Sequence, residues 1–270
     1  MTEGERWTEQ LLAELRAAGY RPRAWGHLLS DSFTRARVTR ARRQREHRQA
    51  LALAAAGLLA WGTVMLAGHP LAALAGASWW LLLALMLDWH LGMLESAGGD
   101  RVDGLGIANV ICVARAGLAP ALVIASPPIL AGLLVAAGIS DAVDGPIARA
   151  RGQQTRLGHW LDGSADGLVL GAAAIGAAHA QLLPWWATAL VLGRHGLQWL
   201  VIAAAYFARA QAPPRHGFVS GRLPGLVLFA GLLLTLLQVP GAAALVVAGA
   251  VGALATLGLT IVRSQRLHPT

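Results

Sequence analysis

The feature that most limits what this chain can fold into is a succession of apolar windows beginning near residue 50. They fall at about 50–68, 71–92, 106–126, 129–150, 158–181, 185–208, 223–239 and 242–262, eight in all. At ~1.5 Å of helix rise per residue, about 20 residues cross the ~30 Å hydrocarbon layer of a bilayer. Helices satisfy their own backbone polar groups in lipid, and the alternation that a membrane barrel requires is absent. Composition agrees, with 56% hydrophobic and 13% charged residues, where soluble domains carry about 25% charged. A soluble globular domain, a disordered chain and a collagen-like chain are excluded, and the expected class is an all-α polytopic membrane protein. The single cysteine, Cys112, excludes an intramolecular disulfide and a thiolate-cluster metal site. The 32 glycines suit close helix packing in lipid.

Residues 1–49 form a separate region, with eleven arginines from Arg6 to Arg48 and six acidic residues. Trp7, Leu11, Leu12 and Leu15 follow helical spacing, Gly19 reads as a helix end, and Arg21-Pro22 breaks the chain before a second amphipathic stretch containing Trp25, Leu28, Leu29 and Phe33. The segment lacks the apolar run of a cleavable signal peptide. It is expected to lie in the cytoplasm or on the membrane surface, its basic stretch Arg35 to Arg48 serving as a solvated flank that fixes orientation or meets anionic headgroups.

Orientation follows from arginine, because all 22 basic residues are Arg. With residues 1–49 inside, the outer connections are His69-Pro70, Pro127-Pro128, Gln181 to Pro184 and Pro240-Gly241, none of them charged. The inner ones carry Arg101; Arg149, Arg151 and Arg156; Arg209, Arg215 and Arg222; and Arg263 and Arg266. The asymmetry predicts that both termini are cytoplasmic, with Trp185 and Trp186 at the outer interface.

From Leu105 onward the only acidic residues are Asp141, Asp144, Asp162 and Asp166. Carboxylates are costly in lipid and are seldom kept there without a task. Their spacings of three and four residues put each pair on one helical face, and two consecutive antiparallel helices bring the pairs together. Left alone they would repel one another, so one or two divalent cations with hard oxygen ligands, Mg²⁺ or Mn²⁺, are expected. Gly145, Ala148 and Gly158 are small enough to let a ligand approach the backbone, although helix packing also accounts for them. Arg149, Arg151 and Arg156 surround the mouth with groups that pair bidentately with phosphate.

The run DAVDGPIARARGQQTRLGHWLDGSAD, Asp141 to Asp166, resembles the signature of the CDP-alcohol phosphotransferase family, D-x-x-D-G-x-x-A-R-x(8)-G-x-x-x-D-x-x-x-D. Asp141, Asp144, Gly145, Ala148, Arg149, Gly158, Asp162 and Asp166 occupy all eight fixed positions. The resemblance implies a six-helix membrane bundle over residues 105–270, preceded by two extra transmembrane helices in 50–104 and the amphipathic segment 1–49. It also implies displacement of CMP from a CDP-linked lipid, CDP-diacylglycerol, by the hydroxyl of an acceptor alcohol at two metal ions. By analogy Asp141, Asp144, Asp162 and Asp166 are metal ligands, with Asp166 a shared ligand or the base that takes the acceptor proton. Gly145, Ala148 and Arg149 would hold the nucleotide, as would Asn109 and Arg115 in ANVICVARAGLAP, which is similar to the family's first helix.

Arg115 and Arg194 lie about nine residues from a span end, roughly 13 Å deep, where a guanidinium must face a polar cavity or a carboxylate. His195 stands where some members have an acid, and in GRLPG Pro224 replaces a family lysine. Arg156, Arg194, Arg215 and Arg222 nevertheless favour an anionic acceptor such as glycerol 3-phosphate or an inositol phosphate. His159 reads as structural or headgroup-facing. Asp88, His90 and Glu95 in the extra spans either reach water or pack beside the cavity and shape acceptor choice. Other expected partners are membrane lipids and a second copy of the chain, with no nucleic acid. Two other functions compete: transfer from a small CDP-alcohol to a lipid, and divalent-cation transport, which the bare outer halves of the spans disfavour. A scaffold with a dead site is disfavoured because no signature position is lost.

Overall fold

The structure, a computed structural model, describes the backbone of residues 2–209 and 222–267 and the side chains of 2–208 and 222–260. Every apolar window is helical there. The windows correspond to α3 (Gln44–Leu66), α4 (Pro70–Trp89), the pair α5 (Ile107–Gly117) and α6 (Ala119–Ile124), α7 (Pro127–Ala150), α8 (Arg156–His179), α9 (Trp185–Arg209), α10 (Arg222–Leu236) and α11 (Ala242–Leu267). Among the described residues six helices are long and apolar enough to cross a membrane, with α5 and α6 counted as one. Helix α10 is shorter, and α8 carries two aspartates and a histidine in its first half. The protein is an all-α polytopic membrane protein.

Ahead of the spans lie α1 (Glu3–Ala17) and α2 (Pro22–Arg42). Thr2 and Glu5 close α1 with a reciprocal capping box, and the left-handed Gly19 and Tyr20 end it. Pro22 opens α2, where its missing N–H costs nothing.

The fold divides into two compact units, residues 1–121 with 136–166, and residues 122–135 with 167–270. The first has a core of Ala50, Trp80, Leu87, Leu91, Leu94, Leu105, Val113 and Leu157, so the front helices and the start of the signature region share one apolar interior. Trp80 is its wedge. Its indole N–H donates to the Leu53 and Ala54 carbonyls, and its ring fills the space over Gly57 and Gly117, where a Cβ would collide with it. Neighbouring Trp79 resolves a backbone problem. Pro120, at the break between α5 and α6, has no N–H for the Ala116 carbonyl, and Trp79 Nε1 donates to that oxygen at 2.9 Å. In the second unit α10 and α11 pack backbone to backbone, with Gly231 against Leu245 and Val246 and Gly249 against Leu228.

Candidate active site

Three helices of the first unit build the site. On α5, Asn109, Cys112 and Arg115 recur every third residue and share a buried face. The C-terminal part of α7 supplies Asp141 and Asp144, and the first turns of α8 supply Asp162 and Asp166. The four carboxylates converge as their spacing predicts, and Arg115 lies among them. Its Nη1 donates to Asp141, and its Nη2 lies 2.8 Å from Asp162 and 3.4 Å from both Asp144 and Asp166. The Arg115 side chain is 1% exposed. An arginine this deep is thus matched by carboxylates, which removes the cost of burying its charge alone.

The four acids are not equivalent. Asp144 is 6% exposed and is fixed from below by the Cys112 thiol, which donates to its Oδ2 at 3.2 Å. Asp141, Asp162 and Asp166 are each about half exposed. Two ligand-capable trios result, Cys112 with Asp144 and Asp162, and Asp141 with Asp162 and Asp166, each with its donor atoms within 4.8 Å of one another. Asp162 belongs to both. One guanidinium faces four carboxylates, so ionised acids leave an excess of negative charge that hard-oxygen coordination of a divalent cation would neutralise. The donor set fits such an ion.

The small signature residues divide by role. A Cβ on Gly158 would lie 2.6 Å from Asn109 Oδ1 and 3.2 Å from Thr155 Oγ1. Gly158 therefore lets α8 approach α5 at a corner where Asn109 donates to Leu105 O and Thr155 Oγ1, and Thr155 accepts from Gly158 N. At Gly145 the nearest neighbour of a Cβ is Nη1 of Arg149 at 3.3 Å, the far end of a flexible side chain. The Gly145 face, with half-buried Ala148 and exposed Arg149, is open to a ligand. Pro146 within α7 lacks the N–H that would bond the Ala142 carbonyl, so the helix loses one rung beside the aspartates.

The remaining expected contacts are placed as follows. Arg156 opens α8, and its guanidinium is engaged by Glu5, Glu95 and Thr2. Asp88 accepts from Arg40 and pairs with His47, so it is satisfied within the front helices. His90 Nδ1 lies on the Met86 carbonyl, and His159 is exposed. Arg194 and Arg222 belong to the second unit, where Arg194 Nη1 lies 2.8 Å from His195 Nδ1, and Arg215 falls outside the described residues. Sequence reasoning missed Cys112 and Thr155 as site residues. Their signal was present, since Cys112 lies three residues from both Asn109 and Arg115 and Thr155 three before Gly158.

Comparison with known proteins bears directly on this site. The family model described as CDP-alcohol phosphatidyltransferase matches residues 105–261, more than half the chain and the whole signature. A probable phosphatidylglycerophosphate synthase of Mycobacterium tuberculosis is 30% identical over 171 residues, covering 58% of this chain and 79% of that protein. A cardiolipin synthase (CMP-forming) of Streptomyces coelicolor is 31% identical over 147 residues, covering 51% of this chain and 67% of that protein. A probable cardiolipin synthase (CMP-forming) of Drosophila melanogaster is 36% identical over 100 residues, or 35% of this chain and 31% of its own length. No solved structure matches this chain significantly. The family match coincides with the three helices that bring four carboxylates onto one guanidinium, and on that footing the chain belongs to the CDP-alcohol phosphatidyltransferase family and is a membrane-embedded transferase.

Proposed function

We propose that the protein transfers the phosphatidyl group of CDP-diacylglycerol to the hydroxyl of a phosphorylated polyol, glycerol 3-phosphate first among the candidates, and releases CMP. The observation that carries this reading is the set of four carboxylates sharing one buried guanidinium beside the open Gly145 face. In the reaction the acceptor oxygen bonds to the phosphorus that carries diacylglycerol. The bond from that phosphorus to the CMP oxygen breaks, and CMP leaves with the electron pair. Two divalent ions, Mg²⁺ or Mn²⁺, would supply charge neutralisation at the attacking and leaving oxygens.

The chain's own residues do the rest. Asp141, Asp144, Asp162 and Asp166 would hold the ions, Asp162 belonging to both trios. Asp166, half exposed at the open side, takes the acceptor proton. Gly145, Ala148 and Arg149 receive the cytidine nucleotide. Asn109 acts on it through the α5–α8 corner, and Arg115 holds the four carboxylates in register. Arg194, Arg215 and Arg222 attract the acceptor's phosphate. Residues 105–270 form the transferase domain, 50–104 two added spans and 1–49 a basic surface segment. The arginine asymmetry of the connections supports a cytoplasmic site and cytoplasmic termini in the cell membrane. A homodimer is part of the reading from the family resemblance alone, because Gly249 and Gly252 of α11 are taken up by Leu228 and Pro224 of α10.

A second reading, a lipid alcohol as acceptor, is favoured by the relatives named cardiolipin synthase. Transfer from a small CDP-alcohol to a lipid uses the same chemistry, whereas divalent-cation transport has no support from the family match. Purified protein in lipid, given CDP-diacylglycerol and Mg²⁺ or Mn²⁺, is tested for CMP release with glycerol 3-phosphate, inositol phosphate and phosphatidylglycerol in turn. Release with a phosphorylated polyol supports the first reading and release only with phosphatidylglycerol the second. No release with any acceptor refutes both.

A further inference from the structure

We propose that Arg156 is a positioning residue whose clamp, built from α1 and the loop after α4, sets the first turn of α8 and thereby the placement of Asp162 and Asp166. The inference rests on the metal-site reading of those two residues. Arg156 Nη2 donates to Glu5 Oε1 at 2.8 Å, and Nη1 donates to Thr2 Oγ1 at 2.7 Å and to Glu95 Oε1. Thr2 Oγ1 donates to the same Glu95 oxygen at 3.1 Å, and the Arg156 backbone N–H donates to the Glu95 carbonyl at 2.9 Å. Glu5 is itself fixed by the α1 capping box, its Oε2 accepting from Thr2 N at 2.7 Å. Both acids are largely buried, with 8% of the Glu5 side chain and 15% of Glu95 exposed, against 19% for Arg156. Such a shielded, multiply bonded ion pair holds geometry far better than a surface bridge.

What it holds is the start of the helix that bears two of the four carboxylates. Asp162 and Asp166 lie six and ten residues beyond Arg156 on one continuous helix, so a shift at the first turn is carried to them. The neighbouring Thr155 fixes the same corner from the other side, through Asn109 of α5. Every group of the clamp except Arg156 lies outside residues 105–261, the span matched by the family model. The front of the chain thus acts on the site by aiming α8 and not by touching substrate.

The test uses the full chain, purified in lipid, as wild type and as Arg156→Gln, Arg156→Lys, Glu95→Gln and Glu5→Gln, with exposed Glu3→Gln as control. Three quantities are read: binding of Mn²⁺ alone by its electron paramagnetic resonance signal, the kcat and KM for CMP release, and the melting temperature. The clamp predicts that Arg156→Gln and Glu95→Gln weaken Mn²⁺ binding and lower kcat about tenfold. KM for the CDP-lipid should stay near wild type, Arg156→Lys should recover only part of the loss, because one ammonium cannot hold Glu5 and Glu95 as the two arms of the guanidinium do, and Glu3→Gln should change nothing. A lower melting temperature with unaltered Mn²⁺ affinity in the folded protein would overturn the proposal. If Arg156→Gln fails to fold, Glu5→Gln, which removes a single charge partner, decides on the same readouts. Wild-type protein that binds Mn²⁺ but releases no CMP would refute the transfer reaction, while the clamp would still stand or fall by the Mn²⁺ titration.

Discussion

Two groups of four carboxylates occupy the first unit, and they differ in the company they keep. In the front of the chain Asp88 is met by Arg40 and His47, Glu46 by Arg101, and Glu5 and Glu95 by Arg156 of α8, so every acid has a cationic or imidazole partner. At the ends of α7 and α8, Asp141, Asp144, Asp162 and Asp166 share Arg115 alone among the described residues. The front acids are the more buried, 1–15% exposed, while three of the four aspartates are about half exposed. The balance of charge separates the two groups as well. A matched set holds helices together, whereas an unmatched set carries surplus negative charge that the fold must hold for something the chain does not itself supply.

The contrast can be broken by substitution. Its largest expected consequence is at Asp166, where Asp166→Asn should slow CMP release by about 10² to 10⁴, the range for loss of a proton-transfer group, and chelation of the metal should silence the wild type. Next comes Arg115→Met, which leaves four acids without their guanidinium. It should destabilise the metal-free protein by about 3–5 kcal/mol, with Mn²⁺ recovering much of the loss in a thermal melt. If Mn²⁺ brings no recovery, the carboxylates are not a cation site. In the matched set, Asp88→Asn should lower stability by about 1.5–3 kcal/mol while leaving turnover per folded molecule and acceptor preference unchanged. Loss of turnover there would erase the distinction between the two sets. Gly158→Ala, pressed against Asn109, should cost about 1–3 kcal/mol, and Gly145→Ala should spare the melting temperature and raise KM for the CDP-lipid.

What could be read from sequence follows the same division. The span helices were legible because each is specified by its own run of apolar residues, and the four aspartates because their spacings, three and four residues, fall within single helices. The tight approach of α5 to α8 was not legible, because it depends on Asn109 meeting Gly158, 49 residues away, and Gly158 read first as room for a ligand. Arg115 was expected to face a cavity or a carboxylate and does so, but its simultaneous hold on all four acids is a property of three helices at once. Arg156 was expected at an acceptor because it lies in an arginine-rich connection. Its partner Glu5 lies 151 residues away, a separation over which no local pattern operates. The same holds for Trp79, whose N–H compensates for Pro120.

The measurement that bears most directly on the account is CMP release from CDP-diacylglycerol, titrated with Mg²⁺, for wild type, Asp144→Asn and Asp88→Asn prepared side by side in the same lipid. The account predicts metal-dependent release by wild type, the same turnover per folded molecule for Asp88→Asn, and none above background for Asp144→Asn. Full release by Asp144→Asn, or loss of release by a folded Asp88→Asn protein, would contradict it.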